Sequence, residues 1–190
     1  PRLADPQSYA ASPLILFPII FGAVWGTKAI AAICLLIGLI YVEKISTLIA
    51  DEFGLDLSPT ELLLLAIIFF SNEFFLWHTK VGHLPFLHIG LALGVFYYYL
   101  KAALVRWNYL DLIWVSLIGW LYFSGSIYHA TMFFLLPVTA ALFTSLILME
   151  FAARGDQGAL IFAKRIFTLF IFITLSLCLS IYRIMPVVMQ

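Results

Sequence analysis

Apolar residues run almost without interruption through several long stretches of this 190-residue chain. The stretches 13–50, 127–153 and 159–185 each exceed the roughly 20 residues that an α-helix needs to cross a lipid bilayer. Of all residues, 11% are charged and 64% hydrophobic, whereas soluble domains have about 25% and 45–50%. Too few polar side chains remain to cover a globule in water. The sequence therefore predicts an integral membrane protein.

Continuous apolar runs favour helices over a β-barrel, whose strands alternate in polarity over about ten residues. We expect an all-α, polytopic helical bundle with short loops. It should contain five or six transmembrane helices, or seven if the stretch 13–50 holds two. The whole chain, 1–190, is predicted to be a single membrane domain that begins with a polar segment at 1–12, where no signal peptide is expected. The predicted spans lie at 59–78, 86–105, 109–123, 127–153 and 159–185, with one or two more in 13–50.

The stretch 13–50 allows two interpretations because it is too long for one simple span and is interrupted by Lys28. Either 13–27 lies at the membrane interface or re-enters the bilayer, and 29–50 spans it, or the stretch is a pair of short helices. The clearest helix start comes later, at Ser58-Pro59-Thr60-Glu61. This is a capping box with proline at the first helical position.

Glycine pairs and aromatic residues indicate how the helices pack. Gly22 with Gly26, and Gly90 with Gly94, have the small-xxx-small spacing that permits close contact between membrane helices. Aromatic residues at 97–99, 107 and 109 suggest a belt at the membrane–water interface.

Basic residues predict the orientation of the spans after the second one. Under the positive-inside rule, the side that holds more lysine and arginine faces the cytoplasm, matrix or stroma. The turns at 79–85 and 124–127 and the C-terminus then face outward. The inner group is Lys101, Arg106, Arg154, Lys164 and Arg165, and the outer group is Lys80 and Arg183.

Several function classes are excluded by what the sequence lacks. Net charge is zero, with ten basic and ten acidic residues, so nucleic acid is not an expected partner. There is no phosphate-binding glycine loop, zinc-protease motif, serine-hydrolase motif or Cys-x-x-Cys pair. Cys34 and Cys178 sit in apolar runs and are expected to be packing residues. We therefore expect that the isolated chain catalyses nothing.

All four histidines fall on the predicted outer side. One interpretation is that they hydrogen-bond headgroups or backbone at the interface. The other is that they contact a haem, a chlorophyll-type pigment, a quinone or a metal, since neutral imidazole is the commonest metal ligand. The four residues are His78, His83, His88 and His129.

Glu73 is the most unusual residue, because it lies more than one turn inside a predicted span among phenylalanines. A carboxyl in hydrocarbon costs roughly 2.5–3.5 kcal/mol at the bilayer centre, so it should face the bundle. It is either a proton-relay carboxyl, a quinone-site acid or a pigment or metal ligand, or else a structural group that hydrogen-bonds Asn72, a serine or a neighbouring subunit. In either case we expect a polar partner.

The fourth predicted span contains Asp111-Leu112-Ile113-Trp114, then Tyr122 and then Gly125-Ser126. These residues resemble the last helix of haem-copper oxidase subunit III. His88, which opens the preceding span, is also similar to the family's penultimate helix. The resemblance covers about 40 residues.

The sequence departs from that family in two places. Asn108 stands where the family carries a histidine, and two further predicted spans follow the helix that ends the family's chain. The resemblance implies a non-catalytic subunit that carries lipid, and it transfers no active-site residue.

Two functions fit these observations. The first is a non-catalytic or cofactor-holding membrane subunit of a respiratory or photosynthetic complex, in contact with structural lipids and other membrane subunits of a hetero-oligomer. Its membrane would be the bacterial inner membrane or an organellar inner or thylakoid membrane. The second is a stand-alone small-molecule or ion transporter or channel, favoured by Glu73 with Asn72 and by Pro137. A membrane-bound metal oxygenase subunit ranks third.

Overall fold

The computed structural model describes residues 12–71, 88–104, 106–125, 135–136, 138–140, 142–145 and 156–180, with side chains from 162 onward in the last range. This part of the chain is helical and contains no β-strand, which confirms the all-α prediction. A 3-10 turn, Pro13–Ile15, precedes the first helix. The α-helices are α1 (Leu16–Phe53), α2 (Pro59–Phe70), α3 (Ile89–Leu104), α4 (Tyr109–Gly125) and α5 (Asp156–Cys178).

The turn between α1 and α2 follows the local sequence signals. Helix α1 ends at Phe53 and is capped by Gly54, whose φ of 66° is left-handed and therefore suits glycine. Helix α2 begins with the predicted capping box. The Ser58 amide donates to Glu61 Oε2 at 2.7 Å, and the Glu61 amide donates to Ser58 Oγ at 3.3 Å. These reciprocal bonds confirm the predicted helix start.

A sharp bend at Gly22 divides α1 into two unequal parts. Gly22 has φ 78° and ψ 161°, a conformation open to glycine but strained for residues with a Cβ atom. Beyond the bend, the backbone of Phe17 and Pro18 lies so close to Gly26 that a Cβ there would overlap it. The stretch 13–50 is thus a short arm folded back on one long helix, rather than a pair of short helices.

Helix α3 lies at the centre and packs against α1, α4 and α5. Its residues 91–95 and 98–100 are all buried. Gly90 meets Cys34 of α1 near one end, and Tyr97 meets Tyr41 further along, so α1 and α3 run parallel. Lys101 of α3 instead pairs with Asp111 at the start of α4, so those two helices are antiparallel.

Several glycines lie at the contacts between helices. A Cβ on Gly94 would lie 2.9 Å from the Tyr41 ring and 3.0 Å from Ile118, so both members of the predicted Gly90–Gly94 pair face other helices. Gly119 of α4 likewise meets the backbone of Ser176 in α5. Such contacts let membrane helices approach closely.

The outer faces of the helices carry large apolar side chains. Within the described ranges, one helical segment, Pro13–Phe53, is long and apolar enough by itself to cross a membrane. Helices α2, α3 and α4 are apolar but shorter. Exposed side chains of this kind include Ile19, Trp25, Leu36, Ile68, Ile113, Trp114 and Phe167.

Candidate functional site

Of the five residues predicted to contact a cofactor, only His88 falls within the described part of the chain. Glu73, His78, His83 and His129 lie outside it, so their roles stay predictions.

His88 is completely buried, directly before α3. Its imidazole packs against Gly125 at the end of α4, where a Cβ would stand 2.8 Å from Nδ1 and 3.3 Å from Nε2. Glycine at 125 therefore makes room for the ring. Among the described residues, no three His, Cys, Asp or Glu side chains come together as a metal site. The observed contact supports a packing role for His88, and cofactor ligation by it stays a prediction.

Charged and phenolic groups gather instead at the opposite end of α3. We call this the tyrosine–lysine cluster, and it joins α1, α3 and the start of α4. Its members are Tyr41, Lys44, Tyr97, Tyr98, Lys101 and Asp111.

Asp111 anchors the cluster. Its Oδ2 accepts hydrogen bonds from Lys101 Nζ and from the backbone N–H of Asn108, both at 2.7 Å. In return the Asp111 amide donates to Asn108 Oδ1 at 3.1 Å, which caps the start of α4. The Lys101 and Asp111 side chains are 14% and 7% exposed. This carboxylate therefore fixes the entry to α4 against α3, as expected for an acid at a helix N-terminus.

Tyrosines fill the space between α1 and α3. The Tyr41 hydroxyl donates to the Tyr98 hydroxyl at 3.3 Å, and both residues are buried. Two cations lie near the Tyr97 ring, with Lys101 Nζ 5.6 Å and Lys44 Nζ 5.8 Å from its centre. Lys44 Nζ is also 5.4 Å from the centre of the Tyr41 ring. These distances suit cation–π attraction.

Lys44 differs from Lys101 in being exposed to the surroundings. Lys101 is paired with Asp111 and Arg106 with Glu52, whereas Lys44 takes part in neither of these ion pairs. The cluster can therefore offer one ammonium group to an external anion.

A second ion pair lies at the same end of the bundle. Arg106 Nη2 is 2.9 Å from Glu52 Oε2, and the two side chains are 46% and 29% exposed. Lys101 and Arg106, which were predicted to lie on the inner side, thus lie at the same end of the bundle. The C-terminal end of α1 lies at this end too. We call this end of the bundle the inner end.

The predicted aromatic belt is wrong for two of its members. Tyr98 and Tyr99 are 4% and 3% exposed and lie inside the bundle. Tyr99 donates to Ser176 Oγ at 2.7 Å, and Ser176 in turn donates to the Ile173 carbonyl. Tyr109, in contrast, is 82% exposed. A run of tyrosines on a helix must point in several directions, so it cannot all face the interface.

Sequence reasoning also missed the pairing of Lys44 with tyrosines. The spacing of Tyr41 and Lys44, three residues apart on one helix, could have indicated that contact. The contact with Tyr97 depends on the parallel packing of α1 and α3, which no local signal reveals.

An apolar groove lies on α1, α2 and α3. Its volume is about 270 Å³, and its lining includes Val42, Leu65 and Phe96 but no charged residue. Its chemistry suits hydrocarbon rather than a polar ligand.

No protein-family model, curated protein or solved structure matches the chain. The likeness to haem-copper oxidase subunit III therefore stays a prediction that rests on α4 and His88.

Proposed function

We propose that this chain is a multi-pass membrane subunit of a larger electron-transfer or energy-converting complex and has no catalytic site of its own. The observation that carries the proposal is the apolar character of its outward-facing surface. Side chains such as Trp25, Ile68 and Phe167 are 69%, 66% and 65% exposed. Each would cost roughly 1–3 kcal/mol to leave in water. Lipid tails, or the apolar faces of partner subunits, remove that cost.

The dimensions of α1 support a position across the bilayer. If it were straight, its 38 residues would extend about 57 Å, nearly twice the roughly 30 Å of a hydrocarbon core. The bend at Gly22 shortens it. Between Lys28 and Glu43 the helix carries no charge and rises about 22 Å at 1.5 Å per residue. Snorkelling by Lys28 and Lys44 would extend this layer toward bilayer thickness.

The distribution of charge supports the same position. The ion pairs Lys101–Asp111 and Glu52–Arg106 both lie at the inner end. In the apolar layer, α1 and α3 approach closely at glycines. Such packing is typical of a structural element. The assignment to an electron-transfer complex rests further on the subunit III resemblance and on the aromatic-rich sequence with short loops.

The test is isolation of the tagged chain from its native membranes in a mild detergent. We expect it to migrate on a native gel far above its 21.5 kDa mass, together with other subunits and with haem- or chlorophyll-type absorption. A colourless homo-oligomer that transports solute after reconstitution into liposomes would contradict the proposal.

A further inference from the structure

We propose that Lys44 and the tyrosines beneath it form a binding site for the phosphate of an anionic membrane lipid. The inference rests on the membrane position proposed above and adds a ligand class and a place to it. Lys44 and Tyr41 lie in α1, outside the region that resembles subunit III, whereas Tyr97 lies within that region.

The first argument is the state of the Lys44 ammonium group. It lies over the rings of Tyr41 and Tyr97, at 5.4 and 5.8 Å from their centres, and is exposed. The rings hold the cation in place without neutralising it, because an aromatic face carries only a quadrupole. Among the described acids nearby, Asp111 is paired with Lys101 and Glu52 with Arg106. The exposed Glu43, next to Lys44 in the chain, forms no ion pair with it. The Lys44 ammonium group is therefore available to an external anion.

The second argument is the apolar surface below it. Leu36 and Ile40 precede Lys44 by two turns and one turn of α1, and they are 59% and 48% exposed. Residues four apart lie along one side of a helix, so the three form a stripe with the cation at its inner end. A lipid has the same arrangement, with a charged headgroup above an acyl chain.

The third argument is the side of the membrane. Lys44 lies at the inner end, where the positive-inside rule places the bundle's basic residues. Anionic lipids face the cytoplasm on that side, and basic residues near the surface attract them. A free phosphate ion would use the ammonium group but gain nothing from Leu36 and Ile40.

Lys28 supplies a matched control. It is also an exposed lysine of α1 over an aromatic ring, with its Nζ 4.6 Å from the centre of Trp25. It stands at the opposite end of the helix and contacts one ring instead of two. The same substitution at the two lysines removes the same charge.

The experiment is native mass spectrometry of the purified full chain in neutral detergent, titrated with dioleoylphosphatidylglycerol or dioleoylphosphatidylcholine. We expect the wild type to prefer the anionic lipid, and Lys44→Ala to weaken binding of that lipid about fivefold, because one basic side chain contributes about 1 kcal/mol. Lys28→Ala should keep the wild-type affinity, and Lys44→Arg should restore most of it. Excess inorganic phosphate should not displace the lipid.

Equal binding of the two lipids, an unchanged affinity in Lys44→Ala, or displacement by inorganic phosphate would each overturn the inference. The isolated chain is sufficient for this assay, so its failure would leave migration within a larger complex unaffected. Conversely, loss of the complex on native gels would leave the lipid titration interpretable.

Discussion

Gly38 of α1 lies against Gly90 of α3, so that a Cβ added at Gly38 would stand 2.9 Å from the Gly90 Cα atom. A Cβ at Gly90 would overlap the carbonyl oxygen of Cys34. The two helices therefore meet main chain to main chain at this point. Because a carbonyl oxygen cannot change rotamer, a side chain at position 90 requires the two backbones to move apart.

Gly90→Ala should destabilise the bundle by about 1–3 kcal/mol, the usual cost of overpacking. The measurement is thermal unfolding of the purified protein in detergent. Ala32→Val is the control, because Ala32 is exposed on the same helix as Cys34. An equal loss of stability in the two variants would contradict close contact at Gly90.

The two ion pairs at the inner end should contribute differently to the free energy of unfolding. Asp111→Asn removes the charge that faces the mostly buried Lys101, and we expect a loss of about 3 kcal/mol, as for a broken buried pair. Glu52→Gln breaks the more exposed pair with Arg106 and should cost less than about 1 kcal/mol. Denaturant unfolding of both variants measures the difference. A larger effect at Glu52 would show that the cluster is not the anchor of α4.

How much of this arrangement could be read from the sequence depends on how local each signal is. The Ser58–Glu61 capping box and the Gly90–Gly94 packing face were predicted correctly, because each depends on residues close in the chain. The contacts of Gly38 and of Gly119 were not predicted. A lone glycine shows that a side chain is absent and does not show which helix occupies the space.

The bend in α1 could be anticipated only in part. Gly22 made a break possible, yet glycine also occurs inside straight helices, so the direction of the arm could not be derived. The tyrosine–lysine cluster was not predicted for a similar reason. The histidines and Glu73 could be singled out by residue type alone. Lys44 could not, because its contact with Tyr97 depends on how α3 packs against α1.

Gly22→Ala should release the folded-back arm, because a φ of 78° is strained for any residue with a Cβ. Nitroxide labels on cysteines introduced at Leu16 and Lys28 report this change in continuous-wave EPR. A straight helix would separate those backbone positions by about 18 Å, whereas the bent one holds them closer. We expect stronger dipolar broadening in the Gly22 protein than in the variant. Equal broadening would contradict the bend.

Removing a buried hydroxyl from the tyrosine run should cost more than removing an exposed one. Tyr99→Phe eliminates the 2.7 Å hydrogen bond to Ser176 that joins α3 to α5, with an expected cost of about 1 kcal/mol. Tyr109→Phe, at an 82% exposed position, should change stability by less than about 0.5 kcal/mol. Thermal unfolding of the two variants provides the comparison. A silent Tyr99→Phe would mean that this bond does not stabilise the packing of α3 against α5.

The central claim is that the bundle crosses a membrane with its tyrosine–lysine cluster on the inner side. Its most direct test is labelling of single cysteines in sealed right-side-out membrane vesicles by an impermeant maleimide. Cys34→Ala and Cys178→Ser provide the background, and Lys28→Cys and Arg106→Cys mark the two ends. We expect the cysteine at 28 to react in intact vesicles and the cysteine at 106 to react only after permeabilisation. Reaction of both from the outside, or release of the protein by alkaline carbonate, would contradict the account.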